Sequence, residues 1–319
     1  MTNPSTPPLP PVLVIVGPTA SGKTTVSLEI AARIRGEIIS ADSRQVYRHL
    51  DIGTAKPTLA ERRRVVHHFV DMLLPDQEFS AGEFGSLGRE AIQQIIERGN
   101  TPIVVGGSGL YVRSLIDGLF EGPGADRELR AKLQRRLQDE GMESMLKELR
   151  VVDPETARRA DPTKPRRILR ALEIFHSTGT PISAHHAGAK VRIAFSPVQV
   201  GLAWERSELY RRIEQRCEAM LAAGLLTEVE LLEREGYTPT LNALNTVGYA
   251  EAFAYRRGET SFEEMVRQFK QNSRRYAKRQ LTWFRADERI AWLKVDESDD
   301  LRHVGERIVE IFLNHVRLA

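Results

Sequence analysis

The sequence has a single cysteine, Cys217, and no apolar run of the length that a membrane-spanning helix requires. One cysteine excludes a disulfide framework and favours a reducing compartment, so we expect a cytoplasmic protein. A membrane helix needs roughly 20 consecutive apolar residues, so no membrane association is expected. With 41% hydrophobic and 28% charged residues and a net charge of +3, the composition is that of a globular protein. Five prolines in residues 1–11, without a basic and then apolar region, predict a disordered tail rather than a signal peptide.

The most specific local pattern is Gly17-Pro18-Thr19-Ala20-Ser21-Gly22-Lys23-Thr24, which fits the phosphate-binding loop at every fixed position. A predicted buried strand, Val12–Val16, precedes it, and a predicted helix, Thr25–Arg35, follows. In this context the loop's N–H groups and the helix N-terminus form an anion site. Lys23 adds a full charge, and the Thr24 hydroxyl is placed to bind Mg²⁺. The pattern predicts a bound phosphate chain without identifying the molecule that carries it.

Strands and helices alternate along the first third of the chain, which predicts an α/β class with a parallel sheet of the P-loop NTPase type. A predicted helix, Ser86–Arg98, separates the predicted strands Glu37–Ser40 and Ile103–Val105. Residues 122–190 are mostly helical in pattern, with Asp126 as a helix cap and Gly141 as a stop. Because flexible segments at 121–124 and 179–190 bracket this block, we expect a helical insertion at 122–190 within a core of residues 12–121 and 191–319.

The C-terminal part of the core is predicted to be mainly helical, with two strands. The predicted helices are Arg206–Ala223, Leu226–Glu235, Thr246–Arg257, Phe262–Arg285 and a last helix after Asp300, and the predicted strands are Val198–Ala203 and Ile290–Val295.

Most nucleotide hydrolases with this loop also have a strand that ends in Asp, which holds Mg²⁺. Here three predicted strands run into glycine or Trp204, and only Asp296, late in the chain, follows a candidate strand. The pattern therefore favours a small kinase, or a transferase that holds a diphosphate without splitting it, over a motor or switch nucleotidase.

Asp42 follows the short strand Glu37–Ser40 and should lie at the carboxyl edge of the sheet, where open α/β sheets bind ligands. A carboxylate beside Lys23 and the loop stays ionised at neutral pH and could accept a proton from an attacking group. Two other interpretations stay open: a turn or helix-cap aspartate, and a residue in the second coordination layer of Mg²⁺.

The segment Arg267–Arg285 contains seven basic residues and no acidic one. At helical spacing Arg267, Lys270, Arg274 and Lys278 share one face, with Arg275 and Arg279 beside it. A second basic cluster, Lys164, Arg166, Arg167 and Arg170, begins a helix of the insertion. A stripe of one charge sign with nearby aromatic residues is typical of a nucleic-acid backbone site, although each cluster alone is more often a solvated surface.

These motifs together resemble the tRNA isopentenyltransferase family, specifically the bacterial tRNA dimethylallyltransferases. The similar segments span residues 12 to about 285, and Ser108 departs from the threonine that the family usually has. They are Gly17–Thr24, Asp42–Tyr47, Asp51–Lys56, Val105–Tyr111, Arg167–Glu173, Gly224–Val229, Val247–Glu251 and Ala277–Arg285.

The resemblance implies transfer of a dimethylallyl group from dimethylallyl diphosphate to N6 of the adenosine 3′-adjacent to the anticodon in tRNA, with Mg²⁺ as cofactor. It implies that the phosphate loop and Arg216 together hold the diphosphate. The residues of the loop are Gly17, Pro18, Thr19, Ala20, Ser21, Gly22, Lys23 and Thr24. Thr24 is the expected Mg²⁺ ligand and Asp42 the expected general base. We expect the insertion to bind the anticodon stem-loop of the tRNA. We also expect the protein to be a monomer. The residues implied to face tRNA are Asp42, Ser43, Arg44, Gln45, Ser108, Arg166, Arg167, Arg170, Thr246, Gly248, Tyr249, Arg274, Arg275, Lys278, Arg279 and Gln280.

Two alternatives use the same loop. A small-molecule or nucleoside kinase would transfer phosphate from ATP without RNA. An adenylate isopentenyltransferase would prenylate a free nucleotide, but the long basic helix and the insertion argue against it, since a mononucleotide needs no backbone track. A non-catalytic RNA-binding protein would leave the phosphate loop unexplained.

Overall fold

Six parallel strands form the central sheet of this computed structural model, which describes residues 9–118, 126–188 and 193–318. The strand order is β3-β2-β4-β1-β5-β6, so β1 lies between β4 and β5, with Val14 opposite Val104 and Gln199. This confirms the predicted α/β class and parallel sheet. The strands are β1 (Pro11–Val16), β2 (Gly36–Ser40), β3 (His67–His68), β4 (Thr101–Gly106), β5 (Ser196–Trp204) and β6 (Ala291–Val295).

Helices account for most of the remaining described chain. In chain order they are α1 (Lys23–Ile34), α2 (Leu59–Arg64), α3 (Ala81–Glu97), α4 (Gly109–Asp117), α5 (Arg127–Val152), α6 (Pro154–Arg158), α7 (Pro165–Thr178), α8 (Ile182–Gly188), α9 (Arg206–Ala222), α10 (Leu225–Arg234), α11 (Tyr249–Arg256), α12 (Phe262–Arg285) and α13 (Leu301–Leu318). None of those described is both long and apolar enough to cross a membrane.

The chain divides into two compact units, one up to Ile116 and from Ile193 onward, the other between Asp117 and Arg192. In the first unit, alternate residues of the buried strand β1 serve the cores on the two faces of the sheet. Leu13 and Ile15 join the core that includes residues of α1 and α9–α13, while Val12 and Val14 join the core that includes residues of α3 and α4. The sheet is therefore buried on both faces, as parallel sheets are.

The second unit has its own core, which includes Leu133, Met145, Leu149, Ile168 and Leu172. Asp126 caps α5 by accepting a hydrogen bond from the Leu129 amide at 3.0 Å, and Gly141 breaks this helix with φ 79°. The predicted hinge at 121–124 lies outside the described residues.

The predicted loose segment 179–190 instead contains α8, as far as it is described. The reason is the buried Asp153 carboxylate, which caps α6 and also accepts a hydrogen bond from the Ser183 amide at 3.0 Å. Ile182 packs against the core of this unit. A cap supplied from 30 residues away leaves no signal in the local sequence.

Helix α3 begins five residues earlier than the periodicity predicted. Ser80 and Glu83 form a capping box in which each side chain accepts a hydrogen bond from the other residue's amide. The pair Thr58 and Glu61 does the same for α2, which was not predicted. Helix α11 starts at Tyr249 rather than Thr246, because Gly248 adopts φ 94° just before it.

Candidate active site

The phosphate loop connects the carboxyl end of β1 to the N-terminus of α1, as the motif predicted. Gly22, at the N-cap of α1, has φ 88°, a left-handed conformation that favours glycine. A β-carbon there would also come within 3.1 Å of Leu301 Cδ1. Ala20 adopts φ 63°, which is strained for a residue with a side chain. The conformation of the loop therefore suits glycine at Gly22 but is unfavourable for the side chain at Ala20.

Side chains from three distant elements hold this loop in place. Trp204 Nε1 donates to the Ser21 carbonyl at 3.0 Å, Arg212 Nε donates to the Ala20 carbonyl at 3.0 Å, and Gln280 Oε1 accepts from the Thr19 amide at 2.8 Å. Because β5, α9 and α12 each contribute one contact, the loop is braced by the fold of the first unit.

Lys23 occupies the centre of the loop. Its ammonium donates to the carbonyls of Gly17 at 3.0 Å and Pro18 at 2.6 Å. Burial, reinforced by the nearby charge of Arg216 and opposed by that of Asp42, lowers the pKa of Lys23 to about 7. An anionic ligand would favour the protonated form, since opposite charge stabilises it.

We therefore expect inorganic diphosphate to bind with proton uptake above pH 7. In the free protein Lys23 loses its proton as the pH rises through about 7. The bound anion restores the proton, so affinity should fall as the pH rises from 7 to 9, with uptake of up to about one proton per site. Calorimetry at pH 8 in buffers of different ionisation enthalpy measures this uptake. A Lys23→Met variant corrects for protons taken up by diphosphate itself, and equal uptake by both proteins would contradict the expectation.

Asp42 and Arg216 line the same cavity as Lys23 and Thr24. Asp42 Oδ1 accepts a hydrogen bond from the Arg44 amide at 2.9 Å, so the aspartate does make a turn contact, while still lining the cavity. Arg216, on α9, makes no hydrogen bond or ion pair with the described residues. Burial lowers the pKa of Arg216, and the charge of Asp42 opposes this. A cation of this kind, desolvated and unpaired, is suited to an anionic ligand.

The lining of this cavity also includes apolar side chains. This apolar wall comes from β2, α9, α12 and the segment before α11, and consists of Ile38, Ile213, Cys217, Met220, Val247 and Phe269. One cavity thus combines cations and residues of the phosphate loop with hydrocarbon side chains. Sequence analysis missed these residues, because the apolar spacing of a cavity wall is the same as that of a core.

A second cavity shares Arg44, Gly107, Tyr276 and Gln280 with the first. Its wall also includes the predicted tRNA-facing residues Ser43, Ser108 and Arg279, and the partly exposed Trp283. The Ser108 hydroxyl accepts a hydrogen bond from the Ser43 amide at 3.0 Å, a contact that serine and threonine can both make.

Several of the residues predicted to face tRNA make contacts within the protein. Tyr249 is fully buried (0% exposed), and its hydroxyl donates to Glu228 at 2.5 Å. Gly248 is also buried, while Thr246 lines the first cavity. The buried Gln280 amide spans the Thr19 amide and the Gly107 carbonyl. Gln45 likewise bonds to Ser40 and to the carbonyls of Thr54 and Ala55.

The Asp51–Lys56 segment, one of those that resemble the family, is held by Glu228. This carboxylate accepts hydrogen bonds from the amides of Asp51, Ile52 and Gly53 at 3.0, 2.7 and 3.1 Å. The buried Lys56 ammonium contacts Asp51 and Asp71, each at 2.5 Å. Gly53, Thr54 and Ala55 line the first cavity, so the segment supplies a fixed wall.

Part of the basic stripe on α12 is paired with acidic side chains. Arg267 pairs with Glu264 at 2.6 Å, Lys270 with Glu218 at 2.6 Å, and Arg274 with Glu214 at 2.5 Å. Glu214 and Glu218 lie on α9, which packs beside α12, so the segment's own sequence could not reveal them. The exposed residues Arg275, Lys278 and Arg279 form no ion pair with the described part of the chain.

In the second unit, Arg166 and Arg167 are exposed in the first turn of α7. Arg170 instead pairs with the buried Glu173 at 3.1 Å, and Lys164 pairs with Asp161 at 2.9 Å. The predicted basic cluster is therefore reduced to two unpaired arginines within the described residues.

The donor set beside the loop fits Mg²⁺. Thr24 and Asp42 both line the first cavity and offer hard oxygen atoms. Within the described ranges there is no group of three or more His, Cys, Asp or Glu residues that could hold a metal by themselves. Mg²⁺ keeps several waters and binds through few protein oxygens together with phosphates, so the residues present suit it in combination with a diphosphate.

Comparison with known proteins gives a consistent result. The profile of the IPP transferase family matches residues 45–287. A tRNA dimethylallyltransferase from Desulforudis audaxviator is 48% identical over 288 residues, covering 90% of this chain and 93% of that protein. The tRNA dimethylallyltransferase 2 of Geotalea uraniireducens is 46% identical over 304 residues, covering 94% and 97%.

Solved structures are similar as well. The tRNA isopentenylpyrophosphate transferase of Bacillus halodurans superposes with a TM-score of 0.70 at 37% identity, covering 96% of this chain and 98% of that one. A eukaryotic dimethylallyltransferase captured acting on tRNA gives a TM-score of 0.76 at 27% identity, covering 90% and 74%. The sheet and the phosphate loop described above belong to the P-loop NTPase-like fold of these proteins.

Proposed function

The chain belongs to the IPP transferase family, and on that premise we propose that it transfers a dimethylallyl group from dimethylallyl diphosphate to N6 of the adenosine 3′-adjacent to the anticodon in tRNA. The observation that carries the proposal is the first cavity, whose lining combines the phosphate loop and Arg216 with apolar side chains. A prenyl diphosphate has this same combination of a charged head and a hydrocarbon tail.

The difficult step is breaking the allylic C1–O bond, since the leaving diphosphate takes both bonding electrons. Lys23, Arg216 and the amides of the phosphate loop stabilise the charge that develops on the bridging oxygen. Mg²⁺, held by the Thr24 hydroxyl and the diphosphate oxygens, would supply further charge neutralisation. The apolar wall excludes water, which would otherwise compete with the amine for the allylic carbon.

Asp42 completes the reaction as the general base. N6 of adenosine forms the new bond to C1 and must lose one proton, which the Asp42 carboxylate accepts. The position of Asp42 in the cavity wall beside Lys23 and Thr24 supports this role. Its turn contact with the Arg44 amide uses only Oδ1, which leaves Oδ2 available to accept the proton.

The adenine must leave its stack to reach this cavity, at a cost of a few kcal/mol. The second cavity supplies an approach, because it shares Arg44, Tyr276 and Gln280 with the first. Arg275, Lys278 and Arg279 are exposed cations of α12 available for the RNA backbone, and Arg166 and Arg167 are exposed cations of α7. Phosphate contacts of this kind supply sequence-independent affinity.

Replacing Arg275, Lys278 and Arg279 by Gln should weaken tRNA binding and reduce its salt dependence. Each phosphate contact contributes a slope of roughly −0.7 to −0.9 in log K against log salt, so the slope should become shallower by about two units. Measuring tRNA Kd at four salt concentrations tests this.

The matched control is the double variant Lys270→Gln, Arg274→Gln, since both residues are paired with α9. It should lower the melting temperature and leave the salt slope nearly unchanged. The reverse pattern would place the paired residues, rather than the exposed ones, on the RNA surface.

The motor or switch nucleotidase, which needs an aspartate at the end of a strand to hold Mg²⁺, loses its candidate residue. Asp296 is exposed, contacts Lys294 at 3.4 Å and lines neither cavity described above. A direct comparison of acceptors separates the remaining alternatives: with dimethylallyl diphosphate as donor, tRNA should be prenylated and AMP should not. Prenylation of AMP at a comparable rate would favour the adenylate enzyme. The cytoplasmic location and the monomeric state stay predictions from the sequence.

A further inference from the structure

Helices α9 and α12 run antiparallel along the first cavity and define its direction. Three contacts between them show the pairing, since residue numbers rise along one helix as they fall along the other: Glu214 with Arg274, Cys217 with Ser273, and Glu218 with Lys270. Each helix therefore lines the same cavity with a series of side chains that runs from the phosphate loop to the opposite end.

One end of this series binds phosphate. On α9, Arg212 donates to the phosphate loop at Ala20, and Arg216 follows one turn later beside Lys23 and Asp42. On α12, Gln280 accepts a hydrogen bond from the loop at Thr19. The diphosphate of a donor is thereby placed at the level of Arg216.

The other end of the series is apolar. One turn beyond Arg216 comes Met220, and one turn beyond Ser273 comes Phe269; both line the cavity. At 1.5 Å per residue, Met220 lies about 6 Å further along the axis of α9 than Arg216. This length is comparable with a five-carbon allylic chain and is too short for a ten-carbon chain in an extended form.

The two residues at this end differ in how they are supported. Phe269 is 3% exposed, and a β-carbon on Gly248 would come within 3.1 Å of its ring, so the ring is fixed from behind. Met220 is 9% exposed and belongs to the last turn of α9. Both residues belong to one core cluster, but Met220 is the more exposed of the two, so shortening Met220 would extend the cavity toward the end of α9.

From this geometry, and resting on the proposed prenyl transfer, we propose that Met220 limits the donor to a single five-carbon unit. The Met220 side chain occupies the space that carbons beyond the fifth would need. Methionine is unbranched and flexible, so it can follow the branched end of a five-carbon chain closely.

The test is donor competition with tRNA as acceptor, using dimethylallyl and geranyl diphosphates. Met220→Ala should raise the ratio of kcat/KM for the geranyl over the dimethylallyl donor at least about tenfold, since a pocket's discrimination per methylene is about 10–200-fold. Met220→Val, a smaller truncation, should give an intermediate ratio. Met265→Ala is the control, because Met265 is a fully buried core residue of α12 that is not in the cavity wall.

Three outcomes separate the possibilities. A raised ratio in both Met220 variants, with the ratio of Met265→Ala unchanged, supports the length limit. Folded Met220 variants that still prenylate tRNA with the five-carbon donor and still reject the ten-carbon donor would overturn it. A wild-type protein that transfers neither group to tRNA would instead overturn the proposed function on which the limit depends.

Discussion

Replacing Asp42 by Ala should lower kcat by roughly 10²–10⁴, the usual contribution of a positioned general base. Binding of dimethylallyl diphosphate should stay close to normal, since the loop, Lys23 and Arg216 remain. The proton of N6 would then have to pass to water in a cavity with an apolar wall. Single-turnover kinetics with saturating donor and tRNA measure the chemical step alone.

The turn contact of Asp42 requires its own control. Asp42→Asn keeps an oxygen that can accept the hydrogen bond from the Arg44 amide but cannot take a proton. If Asp42 is the base, Asn should be about as slow as Ala. Near-normal turnover in the Asn variant would show that the aspartate serves the turn. A large loss of donor affinity in both variants would favour a role in holding Mg²⁺.

Replacing Arg216 by Gln should lower kcat/KM by about 10²-fold, because charge-assisted hydrogen bonds contribute about 1.5–3 kcal/mol each and 1.36 kcal/mol corresponds to tenfold. The ligand-free variant should nevertheless be as stable as the wild type or more so. Burial lowers the pKa of Arg216, which means that the charged form destabilises the folded protein. Gln removes that cost.

Kinetics and a melting curve together decide this point. The control is Arg211→Gln on the same helix, which removes an exposed pair with Glu208 and Glu297 and should change kcat/KM little. A fall of several degrees in the melting temperature of Arg216→Gln, with activity lost in proportion to the folded fraction, would assign Arg216 a structural role.

The sequence predicts the strand–loop–helix arrangement of the phosphate loop well because its signal is local. A strand, a glycine-containing loop and a helix occupy 24 consecutive residues from Pro11 to Ile34, and their order defines the anion site. The place of Asp42 after β2 also follows from sequence, since the carboxyl ends of parallel strands meet at one edge.

The features that the sequence did not predict depend on contacts between distant residues. Glu214 and Glu218 neutralise part of the α12 stripe from about 50 to 60 residues away in sequence. The resemblance implied that Tyr249 faces tRNA, but this side chain is buried and its hydroxyl donates to Glu228. The apolar wall around Met220 and Phe269 has the spacing of an ordinary core face. Pairing and burial of this kind are decided by tertiary packing, which local pattern does not encode.

The most direct test of the central claim is to incubate the protein with dimethylallyl diphosphate, Mg²⁺ and unmodified bulk tRNA, and then to analyse the digested nucleosides by mass. We predict N6-dimethylallyladenosine at the position 3′ of the anticodon, with one diphosphate released per group transferred. Recovery of unmodified tRNA from a folded protein that binds both substrates, or phosphate transfer from ATP in a mixture without RNA, would contradict the account.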